Sequence, residues 1–207
     1  MKLNEWSKRE VERASTTWGT TVPVYSKTMF DFLIKDCRSW LDLGCGFGRF
    51  LNYLTNSIEE PDYIGYDGSP DMIAKISESF PDYSSRVFVR DIEHTIIHVQ
   101  DAILCSAVLI HINKDSQLKV LKNIYESRPK RIAFDINSPE EAVIKTRPYF
   151  EKQIKGAENV FRMTWQSHYT FTRLILSMFP DYHLRTEYFT INKTRKKVIY
   201  MLSKEGV

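Results

Sequence analysis

The chain has 207 residues, of which 43% are hydrophobic and 27% charged, so it can bury a core of ordinary size and is no disordered tail. Its formal net charge of +3 is too small for a nucleic-acid coat or a polybasic membrane anchor. The start, Met1-Lys2-Leu3-Asn4-Glu5, leads into no secretory apolar stretch, and the longest apolar run, Ala102 to Ile112, is too short to span a bilayer.

Cys37, Cys45 and Cys105 are odd in number and have no paired spacing, which fits reduced thiols and a cytoplasmic protein. His94 and His98 stand four residues apart without a third ligand nearby, so no metal site is expected.

Residues 5–17 mix Trp6, Val11 and Ala14 with charges and read as a short amphipathic helix that stops at Gly19. Thr20 to Asp36 reads as a second helix, with Pro23 near its first turn. From Ser39 the rhythm changes. Ser39 to Leu43 is a short apolar run that ends in glycine, the mark of a buried strand. A helix over Gly48 to Ser57 follows, then a strand from Pro61 to Tyr66. Ser69-Pro70-Asp71 opens another helix with a capping hydroxyl, a first-turn proline and an acid. Strands at 86–90, 101–106 and 131–136, with a helix over 114–127, continue the alternation. Alternating strands and helices predict parallel βαβ units.

The end of the chain breaks this pattern. Tyr182 to Phe189 and Val198 to Leu202 read as two strands of an antiparallel hairpin, with the basic run Lys193-Thr194-Arg195-Lys196-Lys197 as its solvated tip. The expected fold is therefore α/β. It is a doubly wound sheet of seven strands, mostly parallel with one antiparallel C-terminal strand, and helices on both faces. One domain is expected over 1–207. Its parts are N-terminal helices (1–37) over the ligand site, a βα core (38–137), an insertion at 138–166 that matches neither pattern, and a last helix and hairpin (167–207).

The chemistry concentrates in Leu41-Asp42-Leu43-Gly44-Cys45-Gly46-Phe47-Gly48-Arg49. A strand enters three alternate glycines and leaves as a helix, so backbone and free N–H groups come close to a ligand. A dinucleotide fingerprint needs G-x-G-x-x-G; here the third glycine arrives one residue early. Asp42 would repel a pyrophosphate but suits a cationic ligand.

This stretch resembles the first motif of the class I S-adenosylmethionine-dependent methyltransferases, an acid followed by G-x-G-x-G. Further stations continue the likeness over roughly residues 38–136. Asp67 lies 19 residues after Gly48 at a strand end, where the family's acid binds ribose hydroxyls. Gly68-Ser69-Pro70-Asp71-Met72 resembles the helix start whose apolar residue packs on adenine. Arg90-Asp91-Ile92 resembles the adenine contact. Ala102 to Ile112, with Cys105 and the late His111, resembles the fourth-strand signature.

The resemblance implies S-adenosyl-L-methionine as cofactor, with S-adenosyl-L-homocysteine as product. Its contacts would be Asp42, Gly44, Cys45, Gly46, Gly48, Arg49, Asp67, Gly68, Met72, Asp91, Ile92 and Cys105, and His111 would be a general base. Plainer roles stand beside these: a helix cap for Asp42 or Asp67, a turn for Asp91, a solvated residue for Arg49, packing for His111. Trp6, Trp18 and Tyr25 precede the sheet, where an aromatic face beside a sulfonium is favourable.

The donor is already activated, so a protein of this kind mainly aligns acceptor and donor. Cys105-Ser106-Ala107-Val108 after the fourth strand matches neither the acid/amide-Pro-Pro-aromatic run of amino-methylating nucleic-acid enzymes nor a Pro-Cys nucleophile. A small-molecule acceptor methylated on O or N without a metal is expected. A protein side chain, or binding without catalysis, is the alternative. No interface is legible, and the oligomeric state stays open.

Overall fold

The computed structural model describes residues 11, 12, 14, 16, 22–95, 97–139, 149–153, 160–164, 166–192 and 195–204. The backbone at 11, 12, 14 and 16 is helical, in keeping with the first expected helix; Trp6 and Trp18 lie outside the described residues.

Among the described residues, five helices follow: α1 (Val24–Ile34), α2 (Arg49–Thr55), α3 (Pro70–Ser79), α4 (Lys114–Glu126) and α5 (His168–Met178). Local chemistry sets their starts. The Ser69 hydroxyl accepts the Met72 N–H at α3, and the Asn113 side chain accepts the Ser116 N–H at α4. Pro23 stands at the N-cap of α1, just outside the helix.

The main sheet takes β1 (Ser39–Leu43), β2 (Asp62–Asp67), β3 (Val87–Val89), β4 (Ala102–Cys105), β5 (Arg131–Pro139), β8 (Tyr182–Asn192) and β9 (Arg195–Lys204) in the order β3-β2-β1-β4-β5-β9-β8. Its first five strands pair in parallel, and β9 runs antiparallel to both its neighbours. Six strands therefore share one direction and β9 alone is reversed.

The central strands β1, β4, β5 and β9 bury both faces. Leu41, Leu43, Ile103, Phe134 and Tyr200 pack with Val120 and Leu121 of α4 and Phe171 and Ile175 of α5. Trp40, Leu104, Ala133 and Ile199 face the other way, onto Met29 and Leu33 of α1, Phe50 and Leu54 of α2 and Ile76 of α3. Helices on both faces complete the doubly wound architecture. The chain runs from β1 outward to β2 and β3 and then crosses back to β4 on the other side of β1, and this reversal opens a crevice at the carboxyl end of β1.

One expectation is filled in and one is corrected. Residues 138–166 hold a strand pair of their own, β6 (Tyr149–Gln153) antiparallel to β7 (Val160–Thr164); Thr146-Arg147-Pro148 and Trp165 lie outside the described residues. The hairpin turn is also tighter than the basic run suggests. β8 continues to Asn192 and β9 begins at Arg195, so Lys197 lies inside a strand opposite Asn137 and is 5% exposed. Lys193 and Thr194 lie outside the described residues.

Candidate functional site

The chain leaves β1 at Leu43 and turns through three glycines with positive φ: +76° at Gly44, +54° at Gly46 and +89° at Gly48. Two of these are forced by packing. A Cβ on Gly44 would stand 2.2 Å from Val108 Cγ2, and one on Gly48 would stand 2.8 Å from Ile76 Cγ1. Gly46 differs: a Cβ there would meet only the Met72 sulfur, at 4.0 Å. The middle glycine thus faces open space, while its neighbours are locked onto β4's exit and α3.

Backbone bonds fix the loop. The Gly44 and Cys45 N–H groups both donate to the Tyr66 carbonyl, at 2.7 and 3.0 Å. The Gly46 N–H donates to Asp67 Oδ2 at 2.9 Å, and Asp67 Oδ1 accepts the Ser69 N–H at 2.8 Å. Asp67 therefore joins the end of β2 to the glycine loop and to the start of α3. Burial raises its pKa, and these two N–H bonds oppose the rise. Gly68 is buried beside it, and Met72 is 5% exposed.

Asp42 points from β1 to the α1–α3 face and is 3% exposed. Burial pushes its carboxyl up to about 7; the Tyr63 hydroxyl, which donates to Oδ2 at 3.1 Å, and the Arg49 charge act against that rise, while Asp67 adds to it. Tyr63, which the sequence reading did not single out, joins this group through its bond to Asp42. It lies one residue into β2, on the face shared with Trp40 and Asp42, a placement that only the β1–β2 register reveals. Burial also pushes the Cys45 and Cys105 thiols well above their ordinary value.

Arg49 opens α2 next to Gly48. Its buried Nε has no hydrogen-bond partner among the described residues, and burial lowers its pKa while Tyr25 and Asp42 raise it. A buried guanidinium nitrogen without an acceptor is costly, so an acceptor beside it would be favourable.

The remaining expected residues spread along the same edge. Asp91, after β3, spends its carboxylate locally. It accepts the Glu93 N–H at 2.9 Å and pairs with His94 Nδ1 at 2.8 Å, and more than half of its side chain is exposed. Hydrogen bonding from His94 lowers its pKa. Ile92 is 1% exposed and Cys105 wholly buried, both in the α4–α5 core. His111 closes a 3₁₀ turn (Leu109–His111) after β4, and its N–H donates to the Val108 carbonyl at 2.8 Å. The structure thus gathers Asp42, the three glycines, Cys45, Arg49, Asp67, Gly68 and Met72 around one crevice. Asp91, Ile92 and His111 follow the ends of the flanking strands β3 and β4.

Among the described residues no three His, Cys, Asp or Glu side chains gather as a metal-binding group, and no helix is long and apolar enough to cross a membrane.

Residues 41–127 match the family model described as a methyltransferase domain. A curated relative named "Putative methyltransferase 235L", from Invertebrate iridescent virus 6, is 28% identical over 108 residues. The match takes in 51% of this chain and 40% of that relative's length. Among solved structures, an S-adenosylmethionine-dependent methyltransferase from Clostridium acetobutylicum superposes with a TM-score of 0.66 at 16% identity, over 96% of this chain and 98% of that one. The magnesium protoporphyrin IX methyltransferase of Synechocystis with bound SAH gives 0.63 at 14% identity, over 96% and 99%. The small RNA methyltransferase HEN1 gives 0.64 at 15% identity, over 98% of this chain and 26% of that one. The D-x-G-x-G-x-G turn thus lies within a stretch, residues 41–127, that matches a methyltransferase domain model, and the chain as a whole shares the fold of these solved structures.

Proposed function

We propose that the protein binds S-adenosyl-L-methionine in the crevice at the end of β1 and transfers its methyl group to O or N of a small-molecule acceptor. The observation that carries this reading is the asymmetry of the loop. Gly44 and Gly48 are packed shut, Gly46 faces open space beside the Met72 sulfur, and a buried Arg49 nitrogen lacks an acceptor. A ligand with a carboxylate at one end and a flat apolar base at the other completes both features.

The cofactor, when bound, supplies a methyl group activated by its sulfonium. The chain's own residues hold it. Arg49 takes the carboxylate and Asp42 the ammonium, with Tyr63 steadying the Asp42 carboxyl. Asp67 still has lone pairs beyond its two N–H bonds and accepts from the ribose hydroxyls. Met72 and Ile92 line the base, and Asp91 accepts from its amine. Gly44, Cys45, Gly46, Gly48 and Gly68 bring the backbone close, and Cys105 backs the pocket from β4. His111 removes a proton where the acceptor must lose one.

The acceptor reading rests on the end of β4. Cys105-Ser106-Ala107-Val108 offers neither the base-stacking run nor the nucleophile used on nucleic acids, and the overall charge provides no broad basic surface. The strand pair β6–β7 adjoins this side through the turn that ends at His111 and is the candidate acceptor wall.

Calorimetric titration with S-adenosylmethionine and S-adenosylhomocysteine tests the cofactor reading. Micromolar-range binding by the protein, lost in Asp67→Ala, is expected; no binding by the intact protein overturns it. Labelled-methyl transfer across small hydroxy and amino compounds, peptides and RNA then tests the acceptor. Transfer confined to RNA or peptide overturns the small-molecule class.

A further inference from the structure

We infer that Asp135 and Lys197 are a positioning pair that holds the Ser106–Val108 wall of the cofactor crevice in place. The inference rests on the cofactor reading above.

Asp135, on β5, is wholly buried and ties together three neighbouring strands. Its Oδ1 accepts the Ala107 backbone N–H at 2.7 Å and the Ser106 hydroxyl at 3.1 Å, both just beyond β4. Its Oδ2 pairs with Lys197 Nζ from β9. The ammonium also lies 5.2 Å from the centroid of the Tyr25 ring, so α1 is joined to the same network.

What the carboxylate holds is a strained turn. Ala107 has φ +58°, in the left-handed region that a residue with a Cβ disfavours. That turn sends Val108 back against the loop, with Cγ2 at 2.2 Å from where a Gly44 Cβ would be. One buried carboxylate thus fixes the backbone that presses on the first glycine of the cofactor loop. Strain of this kind persists only where its surroundings over-determine it. A buried ion pair seldom adds net stability over apolar residues of like size, so stability alone does not account for charge here. Lys197 holds the carboxylate turned so that Oδ1 meets Ala107.

The experiment compares two charge-free pairs by S-adenosylhomocysteine calorimetry and thermal melting. D135L/K197M removes the acceptor for the Ala107 N–H. D135N/K197M keeps an amide oxygen for it. D135L/K197M is expected to stay folded, with its melting temperature lowered by the unmet Ala107 N–H and Ser106 hydroxyl, and to bind about tenfold more weakly, the factor that corresponds to left-handed strain at one residue. D135N/K197M should stay within about threefold of the unaltered protein, because an amide oxygen serves a backbone N–H. Adding A107G to D135L/K197M should recover most of the loss, since glycine adopts the turn without help. A107V leaves the ion pair whole and should weaken binding likewise, which decides the matter if D135L/K197M does not fold. Full affinity in a folded D135L/K197M or in A107V overturns the positioning role alone. Failure of the unaltered protein to bind overturns the cofactor reading and this role with it.

Discussion

The Asp67 carboxylate accepts the Gly46 backbone N–H at 2.9 Å, so the acid at the end of β2 shapes the loop after β1 as well as facing the crevice. Replacing it does two things at once. Asp67→Ala leaves the Gly46 and Ser69 N–H groups without their acceptor, at about 1–3 kcal/mol for each group that stays buried. It should therefore lower the melting temperature and abolish S-adenosylhomocysteine binding. Asp67→Asn keeps one acceptor oxygen and should recover part of the stability. Melting curves and calorimetry on the two variants separate the roles.

Gly44→Ala and Gly46→Ala should fail in different ways. At Gly44 a methyl meets Val108 Cγ2 at 2.2 Å with φ +76°, so the fold itself should lose more than the roughly 1–2 kcal/mol of left-handed strain. At Gly46 only the Met72 sulfur is near, so the stability loss should be no more than that strain. The new methyl would occupy the open side of the loop and cost cofactor affinity at least about tenfold. Urea unfolding beside ligand titration checks the contrast.

Asp42 makes the unliganded protein pH-sensitive in a definite direction. Burial holds its carboxyl at about 7, against an ordinary value of 3.8. Between those values the folded chain keeps a proton that the unfolded chain has released, so the Asp42 contribution to stability falls as pH rises from about 4 to 7 and is level above. Asp42→Asn should remove that slope and stabilise the unliganded protein most above pH 7. A cationic ligand group beside Asp42 needs the carboxylate. Binding below pH 7 should then release a proton, and affinity should rise from pH 5.5 to 7.5, neither of which Asp42→Asn should show. Calorimetry in buffers of differing ionisation enthalpy reads the proton directly.

Arg49 gives a test of ligand polarity. If its unpartnered Nε meets the cofactor carboxylate, the protein should prefer S-adenosylhomocysteine over 5′-methylthioadenosine, which lacks that carboxylate. Arg49→Met should erase about tenfold or more of that preference, in line with a charge-assisted hydrogen bond lost from a half-buried site. Methionine spans much of the same volume, so the fold should survive the change.

Legibility in the sequence followed locality. The stretch from Ser39 to Ile136 was readable because each element carries its own signal: β1 ends in Gly44, α3 opens on Ser69-Pro70-Asp71, and strands alternate with helices. The loop was readable because three alternate glycines admit few conformations. Residues joined only through the sheet were not. Tyr63 meets Asp42 across the β1–β2 pairing, and Lys197 meets Asp135 by the register of β9 on β5. Four basic residues in five suggested a solvated tip, and only the bounds of the hairpin show Lys197 inside the sheet. The β6–β7 pair likewise lacks a strong turn signal of its own.

The reversed strand has a consequence for the order in which this molecule matures. β9, residues 195–204, is made after every other strand of the sheet, yet it inserts between β5 and β8 and is no edge strand. A nascent chain can assemble β1 to β5 while β5 still waits for a neighbour encoded some sixty residues later. Until β9 docks, Asp135 has no counter-ion and the turn at Ala107 has no settled anchor. The glycine loop is written early, but the wall that braces it is finished only when the last strand arrives, so a ribosome-bound intermediate holding all the cofactor motifs would still lack a competent crevice.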